Sequence, residues 1–119
     1  MRELGFSKRW PKLQQEVFTT FRYPRLDRDW YVGEHVQLVY KHRSKDREFL
    51  GYAVIEKKEV RELDREYHAM RPDVPLLTDE EAQEDGFESL DDMFAWMEKK
   101  YGRLDFMPRM NKLTLRRVK

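Results

Sequence analysis

Apolar and polar residues alternate along Phe18-Thr19-Thr20-Phe21-Arg22, and this period-two pattern predicts a β-strand. Pro24 limits its extension, because proline cannot donate to a strand ladder. Residues 23–34 then read as a loop, and Val32-Gly33-Glu34-His35 as a turn into a second strand, Val36-Gln37-Leu38-Val39-Tyr40. A polar hairpin loop at 41–46 leads to a long strand at 47–60, with Phe49, Leu50, Tyr52, Val54 and Ile55 as its apolar content. Gly51 inside it predicts a bulge or a close backbone approach. Residues 112–118 alternate again and predict a closing strand.

Helical signals fall between these strands. Residues 8–16 predict a short helix around Pro11, with Trp10 and Leu13 inward. Thr78-x-x-Glu81 is a capping-box pattern that opens a helix, and Gly86 can end it. Ser89-x-x-Asp92 opens the clearest helix, with Leu90, Met93, Phe94, Met97 and Tyr101 on one apolar stripe and Gly102 as its stop. Asp91 and Asp92 at its start and Lys99 and Lys100 at its end suit the helix dipole. The pattern assigns no element to 61–77, which holds Pro72 and Pro75. Mainly strands, then helices, then a strand: the order predicts an α+β domain with helices on an antiparallel or mixed sheet or barrel.

Composition narrows the chemistry. The 119 residues suit one domain, and charged residues make up 39% of them. There is no cysteine, which excludes disulfides, thiolate catalysis and Cys-based zinc sites. No apolar run reaches the roughly 20 residues a membrane span needs. The N-terminus lacks the apolar core of a secretory signal, so a cytoplasmic location is expected. His35, His42 and His68 are widely separated, so no metal is expected. The glycines are scattered singly, so there is no phosphate loop, and no cofactor is predicted. Residues 1–58 carry 13 Lys/Arg against 8 Asp/Glu, residues 59–105 carry 6 against 15, and residues 106–119 carry 5 against none. Two basic ends flank an acidic middle. If the ends are neighbours in space they form a basic face; otherwise the charges describe a salt-bridged surface.

Four segments, in order, resemble ASCH domains of the PUA-like superfamily. They are Thr19-Thr20-Phe21-Arg22, Val32-Gly33-Glu34-His35-Val36, Leu50-Gly51-Tyr52-Ala53-Val54-Ile55, and Gly86-Phe87-Glu88-Ser89 with the helix that follows. The resemblance covers roughly residues 15 to 118. It implies a mixed or antiparallel β-barrel of about five to six strands with flanking helices. It also implies an RNA-binding or RNA-metabolism module that uses a cleft between barrel and helices. The family motif G-x-K-x-x-[ET]-x-R falls on residues 15–22. Thr20 and Arg22 match it, whereas Gln15 stands at the Gly position and Val17 at the Lys position.

Candidate residues follow from chemistry and from this resemblance. Arg22 can grip a phosphate or a base edge, and Thr20 can hydrogen-bond a base. Tyr23, Trp30 and Tyr31 beside Arg25 and Arg28 suit base stacking, although large aromatics also pack loops. Lys41 and Arg43 lie in a basic hairpin loop suited to phosphates, and Arg116 and Arg117 follow the same logic. One family branch resembles amidohydrolases acting on acetylated cytidine, with Lys, Thr and Glu as machinery. The Thr maps to Thr20 and the Glu to Glu84, while Val17 cannot serve as a base. Three functions stay open: an RNA-binding module, a hydrolase or ribonuclease acting on a nucleoside or RNA, and a protein-interaction module drawing on the acidic middle.

Overall fold

The computed structural model describes every residue except 9, 26, 42–44, 102–108 and 119. Five strands, β1 (Arg2–Phe6), β2 (Val17–Arg22), β3 (His35–Tyr40), β4 (Glu48–Glu62) and β5 (Arg109–Val118), form one sheet. Its order is β1-β3-β4-β5-β2, parallel at β1/β3 and antiparallel elsewhere. A 3-10 turn (Pro11–Gln14) precedes β2, and the helices α1 (Arg65–Met70), α2 (Asp79–Glu84) and α3 (Leu90–Tyr101) sit between β4 and β5. The chain is α+β, as the pattern of elements predicts.

The expected barrel is not closed. β1 and β2 stand at the two ends of the strand order and share no ladder among the described residues. Side chains span the gap instead. The Phe6 and Phe18 rings meet edge to face at 6.4 Å. The Arg22 guanidinium lies 4.7 Å from the Phe6 ring centre. Lys12 Nζ donates to the Thr19 carbonyl at 2.9 Å, meeting an acceptor on the β2 edge that a neighbouring strand would otherwise use.

Strand alternation sorts the side chains into two cores. Leu4, Phe6, Phe18, Val36, Leu38, Ala53, Ile55, Leu113 and Leu115 fill the concave side, with Leu13 from the 3-10 turn and Trp30 from the 23–34 loop. On the other side, Phe21 and Met110 pack against Leu77, Ala82, Met93 and Met97 beside α2 and α3. Each large apolar side chain contributes about 1.5–3 kcal/mol of burial, so the second cluster accounts for most of what holds sheet to helices. Gly51 does what its place in the strand suggests. It adopts φ +132°, and an added Cβ would lie 2.5 Å from Arg117 Nη2, whose guanidinium donates to the Leu50 and Leu13 carbonyls. The ladder shifts register at the neighbouring Leu38/Val39 step.

Two elements are additional to the sequence pattern. β1 offers only Leu4 and Phe6 as inward apolar residues, and its pairing with β3 is parallel and distant in sequence. α1 is six residues long with no buried residue, so it carries no stripe. It is signalled only by Asp64, whose side chain caps the Glu66 and Tyr67 amides at 2.8 and 3.2 Å. The predicted helix over 8–16 shortens to the single 3-10 turn. The Gly102 stop of α3 and the side chain of Tyr101 lie outside the described residues.

A charged layer joins α2 to the sheet. The capping box at Thr78 is complete, its hydroxyl accepting from the Glu81 amide at 3.1 Å. The same Glu81 carboxylate accepts from Arg61 at 2.8 Å and Lys112 at 2.7 Å. Burial alone would raise its pKa, but the two cations outweigh burial and hold it below the ordinary 4.5. A depressed carboxylate stabilises above its unfolded pKa, and that stability is lost as pH falls through the folded value. Glu81→Gln should therefore cost about 3 kcal/mol at neutral pH. In urea titrations the gap to wild type should narrow once the pH drops below 4.5.

Candidate functional site

At the gap between the β1 and β2 edges, Gly5, Phe6, Ser7, Trp10, Lys12, Thr20, Phe21, Arg22, Asp85, Phe87, Trp96 and Lys100 enclose a cleft. The sheet supplies one wall, the 3-10 turn the floor, and the ends of α2 and α3 the other wall. Thr20 points inward because it has the same strand parity as the core residue Phe18. Arg22 follows two residues later on the same face, and its Nε donates to Thr20 Oγ1 at 3.4 Å, a long bond.

Beneath them lies a buried ion pair. Lys12 Nζ contacts Asp85 Oδ1, and both residues are about 6% exposed. Desolvation is the largest influence on each. It pushes the Lys12 ammonium below its ordinary 10.5 and the Asp85 carboxyl above its ordinary 3.8, although each partner pulls the other back toward its charged form. Arg22 adds repulsion to Lys12 and attraction to Asp85.

An aromatic wall closes the helical side. Trp10 stands 5.1 Å from Phe87 and 6.3 Å from Trp96, and Phe87 stands 5.7 Å from Trp96, measured between ring centres. Gly86 permits this. Its φ of +112° ends α2, and a Cβ there would sit 2.9 Å from Trp10 Cε3. Lys8 lies 5.1 Å from the Trp10 ring centre and Lys100 lies 4.8 Å from that of Trp96. The cleft lining thus holds three cations, Lys12, Arg22 and Lys100, against the single carboxylate of Asp85. Its free volume is about 40 Å³, room for about three waters. A phosphate oxygen or an exocyclic group fits; a whole base must lie against the aromatic rim.

The sequence-derived candidates divide. Thr20 and Arg22 come together in the cleft. Tyr23 is half-buried against the second core, outside the cleft lining. Arg25 is exposed, pairs with Asp27 at 3.3 Å and lies 5.8 Å from the Trp30 ring centre. Trp30 itself is core, held under Arg2, while Asp29 ties the loop to Lys58 and Asn111 at 2.8 and 2.9 Å. Lys41 is exposed and does not line the cleft, its amide donating to the Phe6 carbonyl at 2.9 Å. Arg43 lies outside the described residues. Glu84 is exposed on α2 and does not line the cleft. Glu81, Ala82 and Asp85 occupy the inward face, so the acid brought to Thr20 is the next residue along.

Val17 faces away from Thr20 and is 36% exposed; the amines lining the cleft are those of Lys12 and Lys100. Sequence reasoning missed Lys12, Asp85, Trp10, Phe87, Trp96 and Lys100 as one constellation. The only local hints are a lysine inside a turn opened by Trp10-Pro11 and an aspartate just before the helix-ending Gly86. Among the described residues, no group of three or more His, Asp or Glu is placed to hold a metal, and no helix is long and apolar enough to cross a membrane. Comparison of the chain with family models, with curated proteins and with solved structures gave no match.

The buried pair makes opposite pH predictions for its two halves. Lys12→Met leaves an unpaired carboxylate and should cost about 3–5 kcal/mol at neutral pH. That loss should shrink as pH falls, because protonating Asp85 removes the buried charge. Asp85→Asn leaves an unpaired ammonium, so its loss should persist in acid and shrink only as pH rises. Denaturant midpoints measured across pH for both variants check the signs.

Proposed function

We propose that this chain is an ASCH-type, PUA-like module that binds RNA in the cleft between the curled sheet and its helices. The observation that carries the reading is the meeting of an aromatic wall, Trp10, Phe87 and Trp96, with Arg22 and Lys100 at one opening. Cations hold phosphates without regard to sequence, and aromatic faces stack unpaired bases. The small free volume adds a selection. Lys12, Thr20 and Arg22 can donate to a group that enters, while the base stays on the Trp10–Trp96 rim.

A second reading, a small hydrolase acting on a modified nucleoside, is favoured by one observation. The Thr20 hydroxyl shares the cleft with a lysine whose burial disfavours its charged form. Lys12 thereby supplies an amine that Val17 does not, and Asp85 an acid in place of the exposed Glu84.

The experiment is anisotropy of a labelled single-stranded RNA over a salt series, with the RNA and a set of acylated nucleosides assayed for cleavage. Binding should weaken with a log–log salt slope of roughly −1.4 if two phosphates are held. Arg22→Ala and Trp10→Ala should each weaken it about tenfold. No binding at low salt sinks the RNA reading. Turnover lost in Thr20→Ala yet kept in Glu84→Gln would establish the hydrolase.

A further inference from the structure

We propose that the groove between the start of α1 and α3 docks a basic amphipathic helix of a partner protein. Leu63, Leu76, Leu77, Leu90 and Phe94 form its apolar lining, and Arg65 and Asp91 its charged part. It shares no lining residue with the cleft. Its free volume is about 410 Å³, inside the range of roughly 300–1,000 Å³ for pockets that take ligands. The lining is backed by packed structure. Leu77 belongs to the second core, and Leu63, Leu90 and Phe94 are half-buried against it. The Leu77 amide donates to the Glu62 carbonyl at 3.0 Å and the Glu62 amide to the Pro75 carbonyl at 2.8 Å, which fixes the floor to β4. A groove with helical walls receives the apolar side chains of a helix laid across it.

Charge selects the kind of helix. From residue 72 to residue 98 the chain holds ten carboxylates and no Lys, Arg or His. Two of them, Glu81 and Asp85, are buried and paired with cations. Three others stand beside the groove. Asp91 lines it. Asp79 accepts from the amide of the lining residue Leu90 at 2.8 Å. Glu98 follows Phe94 by one turn on the same face of α3. All three are exposed, and none makes an ion pair among the described residues. Acids elsewhere are held, Glu34 by Arg2, Asp29 by Lys58 and Glu62 by Arg109. Arg65 is the one cation of the lining and pairs with neither Asp79 nor Asp91. The net charge of the chain is only +1, so this acidic excess acts at short range, beside the groove. It complements Lys and Arg that flank an apolar row, and it repels a polyanion.

The test is anisotropy of three labelled synthetic helices on wild type, Asp91→Asn/Glu98→Gln and Phe94→Ala. One helix has a leucine row flanked by lysines, one has that row flanked by glutamates, and one keeps the lysines with alanine in place of leucine. The first should bind wild type and weaken with added salt. It should bind the neutralised double variant about fivefold more weakly and Phe94→Ala about tenfold more weakly. Asp91 and Glu98 are exposed, so the double variant keeps the fold and decides the matter even where Phe94→Ala loosens the second core. No binding of the first helix, equal binding of either control helix, or unchanged affinity in both variants overturns the proposal. So does a dimer in sedimentation that the double variant dissociates, because the groove then holds a second copy. Binding that needs Leu104→Ser/Phe106→Ser also overturns it, because the occupant is then residues 102–108 of the chain itself.

Discussion

Lys12 and Asp85, 73 residues apart, share a buried ion pair at the seam where sheet meets helices. Burying two charges costs several kcal/mol each, so such a pair is weak support for stability by itself. What it does is fix a position. Lys12 also reaches the Thr19 carbonyl, so one ammonium holds the 3-10 turn, the β2 edge and the end of α2 in a single arrangement. Trp10, two residues before Lys12, then meets Gly86, one residue after Asp85. The cleft, its aromatic wall and the placement of Thr20 and Arg22 all depend on that junction. Removing its charge alters the site before it alters the cores.

The sheet makes the junction necessary. With β1 parallel to β3 and β2 antiparallel to β5, the two ends of the strand order curl toward each other without a shared ladder. An edge left open in that way needs partners for its backbone groups and cover for its apolar side. Lys12 and Arg22 supply both, one by donating a hydrogen bond to the Thr19 carbonyl, the other by lying on the Phe6 ring. The cleft is thus the gap between the two sheet edges, lined by side chains that meet the edge groups left without a ladder. Polar groups concentrated there have a structural reason as well as a chemical use.

How much of this was legible follows the range of each interaction. Strands β2 to β5 and helices α2 and α3 carry their own local signals, from alternation, capping boxes and an apolar stripe, and they stand where those signals put them. Pairs that depend on distant partners left none. β1 is a strand because β3 and the inner core accept Leu4 and Phe6, and no local pattern in Arg2–Phe6 says so. The same division runs through the site. Thr20 and Arg22 were legible because strand parity puts them on one face, two residues apart. Asp85 was not, because α2 is short and which of Glu84 and Asp85 turns inward depends on packing against β5 and α3. Trp30 shows the converse. Its loop composition suits base stacking, yet the ring fills the inner core beneath Arg2.

The division of charge along the chain acquires a meaning in three dimensions. The basic ends do meet, since β2 lies beside β5 in the sheet, but many of their cations point at the acidic middle rather than at solvent. Lys12 holds Asp85, Lys112 holds Glu81 and Arg109 holds Glu62, while Arg116 pairs with Glu56 and Glu16 of the first segment. Pairs of this kind between layers set which face of the sheet the helices cover, because the acidic elements settle where the strands offer cations. A partner meeting the chain therefore encounters a surface whose long-range field is largely cancelled. What distinguishes the cleft is that Lys12, Arg22, Lys100 and Asp85 are gathered beside the aromatic wall of Trp10, Phe87 and Trp96. Charge there acts at short range and lower dielectric, so discrimination among ligands rests on the fit of individual groups more than on net attraction.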